Sequence, residues 1–143
     1  MIYTTLTKKA LNICYRAHHG YFDKGGIPYV FHPLHLAEQM KDEDSVCVAL
    51  LHDVVEDGGV ELEVLRDEGF GEEIVEAVRL LTRDKNVPYM DYIRNLKPNE
   101  LAVRVKLADL EHNMDMSRLA AVNEKDRKRM EKYKKAVDIL GEF

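Results

Sequence analysis

Four places in this 143-residue chain hold residues that apolar packing does not ask for. At Phe31-His32-Pro33 a histidine stands between a glycine-rich stretch and a helical one. At Leu50-Leu51-His52-Asp53-Val54-Val55-Glu56-Asp57 a strongly apolar run ends in one imidazole and three carboxylates. Asp109 lies inside the apolar run that follows Lys106, and Asn113 comes one helical turn later. On a helix, His52 and Glu56 are i,i+4 neighbours, and so are Asp53 and Asp57. Ionisable groups beside Ala49-Leu50-Leu51 are costly to bury unless a cation compensates them. Imidazole with carboxylate suits a borderline or hard divalent metal such as Mn, Fe, Co, Ni or Zn. His32, His52, Asp53 and Asp109 would supply two nitrogens and two oxygens, leaving room for water and a phosphate oxygen. A metal so held polarises a phosphoryl group and acidifies water. Glu56 and Asp57, one turn on, would orient that water and move its proton. A lone His-Asp pair would be a solvated cap; the whole ordered set reads as a metal site.

The elements that position these residues are helical by their periodicity. Thr4 or Thr5 caps a first helix through about His19, with Leu6, Ala10, Ile13, Cys14 and Ala17 on one face. A loop from Gly20 to Phe31 follows, able to form a hairpin. Pro33 then suits the first turn of a short helix, PLHLAEQM. DEDSVCVALLHDVVED reads as one helix, acidic at its start and stopped by Gly58-Gly59. Further helices are predicted over 61–68 and 71–81, then a polar turn, TRDKNVP, before YMDYIRNL. Asn99 caps NELAVRVKLADLEHNMD, and EKDRKRMEKYKKAVDILG closes the chain with a stripe at Met130, Tyr133, Val137 and Leu140. VPYV and AVRV are too short and isolated for a sheet. The expectation is a single all-α domain over 1–143 with about seven helices.

Composition narrows the function. Lys plus Arg number 21 and Asp plus Glu 26, a net charge of −5. Bulk charge therefore argues against a nucleic-acid or anionic-membrane partner. No apolar run is long enough for a membrane span, and Lys8, Lys9 and Arg16 break up any signal peptide. Cys14 and Cys47 read as two free buried thiols in a reducing, cytoplasmic compartment.

The same residues carry a family resemblance. AHHGYFDKGGIPYVFHP, ALLHDVVED, Phe70-Gly71, Leu81-Thr82 and VKLADLEHNM resemble an HD-domain metal-dependent phosphohydrolase. More closely, they are similar to the hydrolase domain of RelA/SpoT-type alarmone enzymes and their small stand-alone forms, over about residues 10 to 118. The resemblance implies an all-α HD fold and removal of the 3′-pyrophosphate from guanosine tetra- and pentaphosphate with bound Mn. It implies His32, His52, Asp53 and Asp109 as metal ligands, Glu56 and Asp57 as the water-handling pair, and Asn113 near the ribose. The synthetase half of the long enzymes is absent. Two departures concern the base: Tyr21 stands for Gln, and Asp23 for the Arg that stacks on guanine, which an Asp cannot replace. Lys24 is retained to meet a phosphate or the base, and Tyr21 offers a substitute stacking surface.

Other residues read as structural. His18 supports the site from behind; His19, His35 and His112 are surface or packing histidines. Tyr89, Tyr92 and Tyr133 pack between helices, and Arg127, Lys128, Arg129, Lys132, Lys134 and Lys135 form a solvated face. Arg79, Arg83, Lys85, Arg104 and Lys106 are the basic residues to search for a phosphate contact. The expected partner is a small phosphorylated nucleotide, guanosine 3′,5′-bis(diphosphate) before any other. The alternatives are another phosphorylated metabolite, or a metal- or nucleotide-binding sensor without turnover.

Overall fold

The computed structural model describes residues 1–141, and among these the regular elements are eight α-helices and one 3₁₀ turn. They are α1 (Thr5–His18), α2 (Phe31–Glu38), α3 (Glu43–Leu51), α4 (Leu62–Asp67), α5 (Glu72–Leu81), α6 (Tyr89–Leu96), α7 (Glu100–Asn113) and α8 (Glu124–Leu140). The 3₁₀ turn, Met116–Arg118, lies between α7 and α8. The all-α expectation holds, and the helix count rises to eight because YMDYIRNL, set after a polar turn, is itself helical.

Helix starts follow local side-chain chemistry. Thr4 accepts from Thr7 N while Thr7 reaches back to Thr4 N, a reciprocal cap. Asn123 caps α8 in the same reciprocal way with Asp126, while Asp42 and Asn99 cap α3 and α7 by accepting from the Ser45 and Ala102 N–H groups. Each such cap stabilises its helix by about 1 kcal/mol.

Helix α3 is the centre. Every residue from Ser45 to Leu51 is buried, and the helix packs against α1, α2, α5 and α7. A helix apolar all round is a core helix, not an amphipathic one. Truncating Leu50, fully buried, would cost about 2–5 kcal/mol. Cys14 and Cys47 belong to this core as free thiols, their pKa values pushed up to about 12 by burial.

The sequence-based boundary of α3 is corrected. The helix stops at Leu51, and residues 52–58 form a run of turns. Ala49 O is the carbonyl that a continuing helix would give to the Asp53 N–H. It receives His52 Nδ1–H instead, at 2.6 Å. Val54 N then bonds Leu51 O, and Val60 N returns to Val54 O, which closes the run. His52 to Asp57 are therefore splayed around a tight turn, although Asp57 N still reaches Asp53 O at 2.9 Å. Gly58 lets this turn lie against α1, since a Cβ there would stand 2.6 Å from Ala17 Cβ.

The predicted hairpin reduces to one antiparallel bridge, Phe22 with Pro28. Asp23 organises its tip: Oδ1 accepts from Gly25 N at 2.8 Å and Ile27 N at 3.0 Å, and Gly26 turns the chain at φ +82°.

Candidate metal centre

Three elements converge on one buried point. His32 comes from the first turn of α2, His52 from the end of α3, and Asp109 from the last third of α7. All three are buried, and their ligand atoms lie within 4.8 Å of one another. His32 Nε2 is 2.7 Å from Asp109 Oδ1, and His52 Nε2 is 3.7 Å from the same oxygen. Asp53 stands 3.0 Å from His52 Nε2 through Oδ2. It also belongs to a second group, with Glu56 and Asp57, whose oxygens lie within 4.8 Å of each other. The structure thus brings His32, His52, Asp53 and Asp109 together and sets Glu56 and Asp57 beside them.

The donor set fits a divalent cation on an observation of its own. His52 Nδ1 must carry the proton, because Ala49 O can only accept. With Nδ1 committed to that carbonyl, Nε2 is the nitrogen available to a cation: it is buried, faces Asp53 and Asp109 at 3.0 and 3.7 Å, and makes no aligned hydrogen bond. A buried acceptor left unpaired is costly, and a metal ion is the partner this nitrogen suits. His32, His52, Asp53 and Asp109 could hold the ion with two nitrogens and two carboxylates.

A supporting layer surrounds these four. Lys106 Nζ lies 2.9 Å from Asp109 Oδ2, and Asn113 Nδ2 donates to Asp109 Oδ1 at 3.1 Å. Tyr29 donates its hydroxyl to Asp53 Oδ2, and its ring sits between those of His18 and His32. His18 is buried behind it with Nε2 unpartnered. His112 meets His32 at 2.7 Å, Nδ1 to Nδ1, and His35 packs on His112. Neither the bond from Tyr29 nor any role for His112 beyond packing is legible in the sequence pattern. The spacing of His112, three residues after Asp109 and so on one helix face, was the available signal.

Charges in the cluster compensate one another. Burial disfavours each charged form, yet His52 outweighs it and lowers the pKa of Asp53. Lys106, then His32 and His52, hold Asp109 far below the usual carboxylate range, and Asp53 and Asp109 raise His52. Glu56 and Asp57 behave oppositely. Partial desolvation, then the charge of Asp53, pushes both upward, toward the range where a carboxylate accepts protons from water readily.

A cavity of about 300 Å³ opens beside His32. Lys24 and Asn113 line it, with Arg118, Arg129 and Tyr133. Tyr21 is exposed and outside it; the neighbouring Phe22 stands at its wall instead. Asp23 also reaches this cavity, but its Oδ2 is taken by Arg118 at 2.7 Å.

This arrangement of a histidine on one helix, an adjacent His-Asp pair and a distant Asp defines an HD fold. A family model described as an HD domain matches residues 10–137, and the chain belongs to that family. Among curated proteins it is similar to the guanosine-3′,5′-bis(diphosphate) 3′-pyrophosphohydrolase of Borreliella burgdorferi, 32% identical over 136 residues, or 83% of this chain and 20% of that protein. The protein of the same name from Haemophilus influenzae is 34% identical over 113 residues, covering 68% of this chain and 16% of the relative. The chain therefore spans a fifth or less of those relatives. A solved structure described as a metazoan ortholog of SpoT that hydrolyzes ppGpp matches at a TM-score of 0.80 and 25% identity, covering 99% of this chain and 88% of the other. No helix among the described residues is long and apolar enough to cross a membrane.

Proposed function

We propose that this chain is a metal-dependent phosphohydrolase that removes pyrophosphate from a nucleotide, with guanosine 3′,5′-bis(diphosphate) as substrate. The observation that carries the reading is the unpartnered His52 Nε2, facing Asp53 and Asp109 and bordered by Glu56 and Asp57. His32, His52, Asp53 and Asp109 are the residues assigned to hold a divalent ion, Mn before Fe, Co, Ni or Zn. The chemistry supplied there by a bound ion is polarisation of a phosphoryl group and acidification of water. Glu56 and Asp57 orient the attacking water and accept one of its protons. The water oxygen bonds to the phosphorus at the ribose 3′ oxygen, the P–O3′ bond breaks, and a proton passes to the released hydroxyl. Pyrophosphate leaves. Lys24, Asn113 and the wall of the cavity beside His32, with Phe22 in the place expected of Tyr21, receive the rest of the nucleotide. Two buried free thiols fit a cytoplasmic setting.

A second reading keeps the reaction and changes the base. Asp23, in place of the guanine-stacking Arg of the resembled family, is engaged by Arg118 and so is not free to meet the substrate. Discrimination among bases is then weaker than in those enzymes. A nucleotide panel incubated with protein and Mn, including guanosine 3′,5′-bis(diphosphate) and its adenosine counterpart, tests both readings. Pyrophosphate release from either compound supports the reaction, and the ratio of kcat/KM values separates the readings. No release from any nucleotide leaves the sensor reading in their place.

A further inference from the structure

The basic residues singled out for a phosphate contact sort sharply. Arg79 is bound to Glu76, Arg104 to Asp42 and Lys106 to Asp109. Arg83 is different: its Nε and one terminal nitrogen donate to Val87 O at 3.2 Å, and no described carboxylate pairs with it. Lys132 departs further from expectation. Instead of standing on a solvated face it lies partly buried, Nζ 4.5 Å from the centroid of Tyr89 and 5.4 Å from that of Tyr133. It too has no carboxylate partner among the described residues.

Arg83 and Lys106 approach the same Tyr89 ring, at 5.4 Å and 6.0 Å. Three cations thus surround one aromatic, and its hydroxyl is buried without a hydrogen-bond partner. The face of an aromatic ring attracts cations, but it does not cancel the charges of Arg83 and Lys132, whereas Lys106 is paired with Asp109. Burial first, then Arg83, Lys106, Arg129 and Lys24, push the Lys132 ammonium pKa down; with Lys106 held by Asp109 and Arg129 by Asp126, the excess of positive charge rests on Arg83 and Lys132. In a chain of net charge −5 such an excess is selective, not a bulk property.

Its location gives it a use. Lys106 joins this cluster to Asp109 in the metal centre. Arg83 lines a depression of about 370 Å³ together with Glu56, Asp57 and Lys85. Tyr133, under Lys132, also lines the cavity beside His32. Arg83 therefore borders the water-handling carboxylates, and Lys132 is tied to it through the shared Tyr89 ring.

We propose that Arg83, Lys132 and the Tyr89 hydroxyl form an anion subsite for the terminal phosphate of a diphosphate whose inner phosphate lies at the metal centre. This rests on the reading that the substrate carries a diphosphate. A diphosphate transferred to water, with the ribose 3′ oxygen as leaving group, carries a second, highly charged phosphoryl unit next to the reacting one, and that unit needs countercharge and a hydrogen-bond donor. Arg83 and Lys132 supply the charge, and Tyr89 the O–H.

The test uses inorganic pyrophosphate and orthophosphate as probes, so that it does not depend on turnover. Their dissociation constants are measured by calorimetry with Mn present, for the unaltered protein and for Arg83→Ala, Lys132→Gln and Tyr89→Phe, with thermal unfolding as a check on the fold. The subsite predicts weakening of pyrophosphate by about tenfold or more in the two cation variants, with a smaller loss in Tyr89→Phe and orthophosphate nearly unchanged. Lys132→Arg should restore most of the loss. Unchanged pyrophosphate binding, or equal weakening of both anions, overturns the subsite. The proposed function fails separately: selective pyrophosphate loss in a protein that hydrolyses no nucleotide would keep the subsite and remove the enzyme.

Discussion

His32 and His112 lie edge to edge in one plane, joined Nδ1 to Nδ1 at 2.7 Å. Their rings are parallel within 9° with centroids 4.9 Å apart. A nitrogen separation that short is below van der Waals contact, so the rings share a hydrogen bond and are not stacked face over face. One nitrogen must donate and the other accept. For His32 Nε2 to offer a lone pair to a cation, its Nδ1 must carry the proton, and His112 Nδ1 is then the acceptor that fixes tautomer and ring orientation.

Replacing His112 therefore separates packing from hydrogen bonding. Asn places its amide oxygen near the position of Nδ1 and can accept; Ala cannot. His112→Ala should lose about 10–100-fold in affinity for Mn, as expected for loss of a ligand's supporting partner, while His112→Asn stays near the unaltered protein. Metal titration with a competing chelator reads both. Equal affinity in His112→Ala would show that His32 needs no such partner.

Glu56 and Asp57 stand beside Asp53 but outside the buried trio of His32, His52 and Asp109. Glu56→Gln and Asp57→Asn should keep the metal and lose about 10²–10⁴-fold in kcat, the range for general acid–base groups. Metal content and turnover measured on the same preparations check this. Near-normal kcat in both variants would remove the pair from the chemistry.

Asp23 fastens the loop before α2 to the turn after α7 through Arg118. Asp23→Ala strands the Gly25 and Ile27 N–H groups and the Arg118 guanidinium, at about 1–3 kcal/mol of stability. Asp23→Asn keeps an acceptor for the two N–H groups and loses less. Burial alone would raise the Asp23 pKa, but Ile27 and Gly25 N–H, then Arg118, bring it below 3.8. The contribution is thus complete above the unfolded value and disappears as pH falls through the lower folded one. Urea unfolding at neutral pH and at acid pH should show the gap between Asp23→Ala and the unaltered protein shrink. A gap independent of acid pH would contradict the ion pair's role.

Much of the helical frame could be read from sequence because its signals are local: Thr4, Asp42, Asn99 and Asn123 cap within three residues of themselves. The convergence of His32, His52 and Asp109 was anticipated because apolar helices had no other use for them. What escaped depends on distant neighbours. Tyr29 meets Asp53 across 24 positions and His112 meets His32 across 80, and no periodicity reports that. The end of α3 was misplaced for a different reason: the His52 side chain takes the Ala49 carbonyl from the backbone. Lys132 looked solvated because a charge pattern does not tell which ring lies beneath it.

Whether His32, His52, Asp53 and Asp109 hold a metal used to release pyrophosphate is read from the products by phosphorus NMR. Guanosine 3′,5′-bis(diphosphate) is incubated with Mn and either the unaltered protein or Asp53→Ala, and metal content is measured on both before quenching with chelator. Inorganic pyrophosphate and guanosine 5′-diphosphate are expected from the unaltered protein, with neither metal nor product from Asp53→Ala. Orthophosphate as the sole inorganic product, or full metal occupancy in Asp53→Ala, would contradict that assignment.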